Sequence, residues 1–157
     1  MMITHPVRIS SCVVCLRDGQ ILLARWANPV DPEDNQWTLP GGGVEPAEDP
    51  FDAAIREAEE ETGYIVELDE LLGMYTRVKE APPSEGGMKS QYHSLRIFYA
   101  GHIVGGGLRD EVGGSTDKAD WFDLAQVKDL PRDPRVDIGI ELAATRPPTG
   151  RLDRASA

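Results

Sequence analysis

The stretch PGGGVEPAEDPFDAAIREAEEETGY, residues 40–64, joins a glycine run to an acidic helix, and the rest of the chain is read outward from it. Asp49 is placed as the helix N-cap, Pro50 fills the first helical position and Gly63 supplies the C-terminal stop. Within the helix, Glu57, Glu60 and Glu61 stand at i, i+3 and i+4. At about 100° per residue, Glu61 falls roughly 40° to one side of Glu57 and Glu60 roughly 60° to the other. The three carboxylates therefore share one arc, a spacing that is destabilising on a bare helix. Glu59 falls on another face, while Phe51, Ile55 and Ala58 form a separate apolar stripe able to anchor the helix to a sheet.

Taken alone, an E-x-x-E-E pattern is most simply a solvated acidic face. The upstream Pro40-Gly41-Gly42-Gly43 changes that balance, because a glycine-rich tight turn can bring backbone carbonyls close to the helix. Hard cations such as Mg²⁺ take oxygen ligands, a few carboxylates completed by water and substrate phosphate. A glycine turn against a tri-carboxylate helix offers such a set.

Upstream, Arg8–Leu16 and Gln20–Arg25 are β-rich runs joined at Asp18-Gly19, a strong hairpin signal. Residues 26–36 carry two prolines and several Asp and Asn residues and read as a loop, followed by a short strand at Trp37-Thr38-Leu39. Downstream, Leu71–Val78 and Ser94–Val104 read as strands around a flexible loop at 81–89, and Asp120–Asp123 as a last short strand. Weak helical patterns occupy Leu124–Leu130 and Val136–Ala144. Residues 1–144 are expected to form one domain and 145–157 a disordered tail. Hairpins around one strong helix predict a mixed α/β sandwich, not a regular βαβ array.

The 157 residues suit a single core, with 40% hydrophobic and 27% charged residues. A net charge of −11 counts against nucleic-acid and anionic-membrane partners, which call for a basic face. It leaves phosphate chemistry open where divalent cations stand between carboxylates and substrate. Cys12 and Cys15 are too few for a disulfide scaffold, and in a strand their offset of three puts them on opposite faces, as reduced packing residues. No window approaches the ~20 apolar residues of a membrane span, and the expected compartment is the cytoplasm.

Gly42–Tyr64 resembles the Nudix box: Gly, five residues, Glu, seven residues, then Arg-Glu-apolar-x-Glu-Glu-x-Gly-apolar. Gly42, Glu48, Arg56, Glu57, Ala58, Glu60, Glu61, Gly63 and Tyr64 fill its positions in register, with small Ala58 and amphipathic Tyr64 at apolar sites. The resemblance implies an α+β fold, an α/β/α sandwich with a mixed sheet. It also implies hydrolysis of a nucleoside diphosphate linked to another moiety, by water attack at phosphorus. Glu57, Glu60 and Glu61 would hold Mg²⁺ or Mn²⁺, the backbone carbonyl of Gly41 would complete the shell, and Glu48 with Arg56 would fix the loop against the helix. The partner is then a small nucleotide-type substrate, with nucleoside triphosphates, nucleotide sugars and dinucleoside polyphosphates all open, and a homodimer is the oligomeric expectation. Where the base lies beyond the box, Glu111 is preferred over Asp110 and Asp117; His93 reads as a polar strand residue, and Trp26 and Trp37 as packing more than as stacking platforms. The alternative is a catalytically inactive Nudix domain that senses nucleotides or binds protein. An acidic Ca²⁺-binding protein is disfavoured, since no loop has the D-x-[DN]-x-[DN]-G pattern.

Overall fold

The computed structural model describes residues 7–80 and 91–153. The hairpin stands where it was expected. β1 (Val7–Arg17) and β2 (Gln20–Trp26) turn at Asp18 and Gly19, both left-handed at φ 52° and 76°, as a two-residue type I′ connection requires. Then come β3 (Gln36–Thr38), β4 (Gly41–Gly43), α1 (Pro50–Thr62), β5 (Tyr64–Glu80), β6 (Gln91–Gly106), β7 (Thr116–Asp123) and α2 (Arg135–Thr145). Leu124–Asp129 is a 3-10 turn and not the α-helix its pattern suggested. Six residues ahead of Pro131 are too few to repay α-helix nucleation. The loop expected at 81–89 lies outside the described residues.

β1 organises the sheet, whose order is β3-β2-β1-β6-β5 with β4 also on β1 and β7 on β2. Residues Val7–Cys15 pair in parallel with β6, Ser10–Cys12 pair antiparallel with β4, and Leu16 and Arg17 continue into β2. Alternation along β1 feeds two cores. Cys12 and Val14 pack with Leu39, Phe98 and the α2 residues Val136 and Leu142; Val13 and Cys15 pack with Leu22, Val66 and Ala58 of α1. α1 thus covers one face and α2 the other, giving the mixed-sheet α+β sandwich. The cysteines are free, buried and on opposite faces, and burial lifts their thiols to about 11 and about 12. No described helix is long and apolar enough to cross a membrane.

Two further expectations are corrected. The glycine run is not a tight turn but strand β4, and none of its residues has positive φ. Its glycines are required by crowding: a Cβ on Gly41 would stand 2.3 Å from the Ser11 carbonyl oxygen. The chain after Thr145 also stays ordered as far as Asp153. Met74 N–H donates to the Gly150 carbonyl at 2.9 Å, Arg146 pairs with Glu70, and Leu152 packs against the α2-side core. Residues 154–157 lie outside the described residues. The composition of 145–157 is polar, but the edge of β5 gives its backbone and Leu152 something to bind.

Candidate active site

α1 is held rigidly where it meets β4. Asp49 Oδ1 accepts from Phe51 N–H at 2.8 Å, Pro50 opens the helix, and Gly63 closes it with φ 80°. Ser11 Oγ on β1 donates to the Pro50 carbonyl at 2.7 Å, tying the helix start to the central strand. Antiparallel pairing then decides what β4 offers the helix. Val13 N–H donates to the Pro40 carbonyl and Val44 N–H to the Ile9 carbonyl, so Cys12 and Gly41 form a non-hydrogen-bonded pair. The backbone N–H and C=O of Gly41 therefore point away from β1, off the free edge of the strand. The same alternation frees Gly43, whose carbonyl accepts from Arg56 Nη2 at 3.2 Å.

Two of the three helix glutamates meet there. Glu61 is buried at 2% exposure, and its Oε1 accepts from Gly41 N–H at 3.3 Å. Its Oε2 is buried without a hydrogen-bond partner. Burial holds this carboxyl well above the usual carboxylate range; the adjoining Glu57 carboxyl and the charge on Glu111 push the same way, against the Gly41 N–H. Glu57 lies beneath Gly42, where an added Cβ would stand 2.7 Å from its carboxylate. Glu60 turns outward to Arg56 at 3.3 Å. Among the described residues, no three acidic, histidine or cysteine side chains converge on one point. The expected tri-carboxylate is thus a close pair, Glu57 and Glu61, with Glu60 at its exposed rim, because Glu60 lies on the far side of Glu57 from Glu61 and finds a cation there.

Arg56 is the lock. Its Nε and Nη2 grip Glu48 at 2.8 and 2.9 Å, and its Nη1 reaches Glu57 at 3.1 Å. The Arg56 side chain and the Glu45 backbone N–H lower the Glu48 carboxyl to about 2, and Glu48 in turn raises the guanidinium above its ordinary value. Two buried or part-buried carboxylates, one with an orphaned oxygen, beside outward-facing backbone oxygen make a hard-oxygen donor set that fits a divalent cation.

Of the acids expected beyond the box, Asp117 lies on β7 and is bound to Arg25 at 2.7 Å, and Asp110 accepts from Ala119 N–H at 2.9 Å. Glu111 accepts from Thr116 N–H at 3.2 Å, and its charge reaches Glu61. His93 sits half-buried in β6, paired with Val7 and Val78. Trp37 is buried edge-on against Phe122 at 4.6 Å, and Trp26 is 38% exposed. One residue escaped the sequence reading. Arg96 is 7% exposed on β6, gives Nε to Ser10 Oγ at 3.2 Å, and leaves Nη1 without a partner. Its signal was available: it falls in phase with the core-facing Phe98, a charge at an apolar position of a strand.

Residues 5–140 match the family model described as NUDIX domain. The chain is 32% identical over 114 residues to an ADP-ribose pyrophosphatase of Methanocaldococcus jannaschii, a match covering 73% of this chain and 60% of that protein. It is 33% identical over 106 residues to a putative ADP-ribose pyrophosphatase of Bacillus subtilis, covering 68% of this chain and 45% of the relative. The chain thus spans about half the length of these relatives. In fold it is similar to a NUDIX hydrolase from Nitrosomonas europaea, with a TM-score of 0.73 at 21% identity over 97% of this chain and 96% of that one. The match over residues 5–140 contains the glutamate helix, its glycine strand and the sheet that holds both, and on that ground the chain belongs to the Nudix hydrolase family.

Proposed function

We propose that the chain is a divalent-metal-dependent pyrophosphohydrolase that cleaves a phosphoanhydride bond of a nucleoside diphosphate linked to another moiety, with Mg²⁺ or Mn²⁺ as the cation. The observation that carries this reading is the Glu57–Glu61 pair at the free edge of β4, with Glu61 Oε2 buried and unpartnered. Two carboxyl groups held this close, one of them desolvated, can both ionise only where a cation offsets their charge. Glu57, Glu61 and the Gly41 carbonyl would hold it, with Glu60 at the rim. When bound, a divalent ion neutralises the diphosphate, lowers the pKa of bound water and orients the attacking oxygen.

The remaining work falls to this chain. Arg56 holds Glu48, the Gly43 carbonyl and Glu57 together, so the carboxylates keep their aim on β4. We assign Glu111 the part of loop base, since its charge reaches Glu61 and its bonds to Thr116 occupy only Oε1. The names of two relatives make ADP-ribose one member of the substrate panel. No observation favours the inactive alternative.

The test is a panel of ADP-ribose, nucleotide sugars, nucleoside triphosphates and dinucleoside polyphosphates with Mg²⁺ or Mn²⁺, products separated by chromatography. Turnover should need the metal. Glu61→Gln should lower it by on the order of 100-fold or more, the loss of several kcal/mol of transition-state stabilisation. Metal-supported binding of panel members without any turnover would overturn the proposal.

A further inference from the structure

The strand register places an unexpected row of cations on the sheet. Arg8 on β1 and Arg77 on β5 are both paired with Ser94 of β6, so the three share one face with Ser94 between the two arginines. Arg96 lies two residues along β6 on that same face, between Ser10 and Tyr75, and Lys79 continues the parity along β5. This is the α2-side face, opposite the one that α1 covers, and it meets the candidate active site across the glycine strand β4. The Arg8 guanidinium lies 3.6 Å from where a Gly43 Cβ would stand, and the Gly43 carbonyl is held by Arg56.

Arg8 and Arg77 differ from five of the other arginines. Arg25, Arg56, Arg132, Arg135 and Arg146 each face a carboxylate. Neither the Arg8 nor the Arg77 guanidinium has a carboxylate partner among the described residues, although acidic residues number 27 against 16 Lys and Arg. Beside them Arg96 is buried with Nη1 unsatisfied, and Asp133 is already taken by Arg135 at 2.8 Å. Ser94, the residue between them, is short, and its hydroxyl donates to the Arg77 carbonyl at 3.4 Å. Strands lie about 4.8 Å apart, so Arg8 and Arg77 stand roughly 10 Å apart at the backbone, a span that two long side chains close around one anionic group.

We infer that Arg8 and Arg77, astride Ser94, bind a phosphate of the substrate beyond the diphosphate that is cleaved. The inference rests on the pyrophosphohydrolase reading and narrows it. The preferred substrates carry three or more phosphates, as nucleoside triphosphates and dinucleoside polyphosphates do, over those whose distal group is an uncharged sugar. Both arginines are partly exposed and act as specificity residues, outside the carboxylate site.

The test compares wild type, Arg8→Ser, Arg77→Ser and the double variant, with Lys128→Ser as a control for net charge at an exposed site on the 3-10 turn. In EDTA, calorimetry with inorganic tripolyphosphate should show binding to wild type, weakened about tenfold or more in the double variant and unchanged in Lys128→Ser, as loss of charge-assisted hydrogen bonds implies. In turnover with metal, KM for ATP and for diadenosine tetraphosphate should rise by about tenfold in the double variant, while KM for ADP-ribose moves at most about twofold. Equal tripolyphosphate affinity in wild type and double variant overturns the inference, as does an equal rise of KM for ADP-ribose. The calorimetric arm needs no catalysis, so a wild type that binds tripolyphosphate through these arginines but hydrolyses nothing sinks the enzymatic reading alone. Folding of each variant is checked by thermal melting. If the double variant melts early, the single variants, each expected to show part of the loss, decide the matter.

Discussion

Gly41 and Gly42 are chemically identical and structurally opposed. A methyl group on Gly41 would strike the Ser11 carbonyl oxygen at 2.3 Å and the Cys12 Cβ at 2.5 Å, atoms fixed in the central strand. On Gly42 it would strike only the Glu57 carboxylate, the far end of a side chain that can swing away. Gly41→Ala is therefore expected to cost about 1–3 kcal/mol of stability as an overpacked site, read as a lower denaturation midpoint. Gly42→Ala should melt within a few degrees of wild type yet lose turnover, because Glu57 leaves its partner Glu61; unaltered turnover in that variant would contradict the assignment of Glu57. The helix pattern gave all three glutamates equal standing. Burial of Glu61 depends on β4 lying across it, which helical spacing does not contain.

At the scale of the element, the two helices differ in how openly their ends are signed. α1 carries Asp49, Pro50 and Gly63 in sequence-adjacent capping positions, and the structure uses each of them. α2 has Pro134 at its N-cap, with no side-chain cap bond there. Its first turn is instead held by Asp133, whose Oδ1 accepts from Arg135 N–H at 2.8 Å while the carboxylate pairs with the Arg135 side chain. Burial pushes the Asp133 carboxyl up, but the Arg135 side chain and backbone N–H outweigh it and bring it down to about 2. A depressed carboxyl stabilises the fold fully above its unfolded value of 3.8, and the contribution drains away as pH falls toward about 2. Urea midpoints measured from pH 5 to pH 2 should accordingly fall more steeply for wild type than for Asp133→Asn. At pH 7 that variant should already be weaker by about 1 kcal/mol, the worth of a helix cap. Parallel midpoint curves for the two proteins would show that this pair carries no pH-dependent stability.

For the molecule as a whole, the last described segment behaves as a strap. From Arg146 to Asp153 the chain returns along β5, the edge strand of the sheet, where Gly150 accepts from Met74 and crowds Gly73, and Leu152 closes on the α2-side core. An exposed edge invites pairing with other chains, and covering it with the chain's own backbone removes that risk. Leu152→Ala should cost about 1–2 kcal/mol in chemical denaturation, less than a fully buried leucine because the side chain is only partly enclosed. An unchanged midpoint would mean that the strap adds nothing to stability. The same whole-molecule view explains why an acidic chain can carry a basic row: net charge is a sum, whereas pairing of β1 and β5 on either side of β6 gathers arginines separated by about seventy positions onto one face.

What the sequence determined by itself was whatever depends on near neighbours along the chain. The hairpin at Asp18-Gly19, the capped helix, the opposed cysteines and the spacing of Glu48, Arg56, Glu57 and Glu61 all follow from local backbone preference or from a period of two or 3.6. The tertiary structure alone decided that the glycine run is a strand, that Glu61 is buried while Glu60 is not, that Arg96 is buried with Nη1 unsatisfied, and that residues after Thr145 are held. Each of these depends on which distant segment lies alongside, and the contacts that select it form only when the sheet closes.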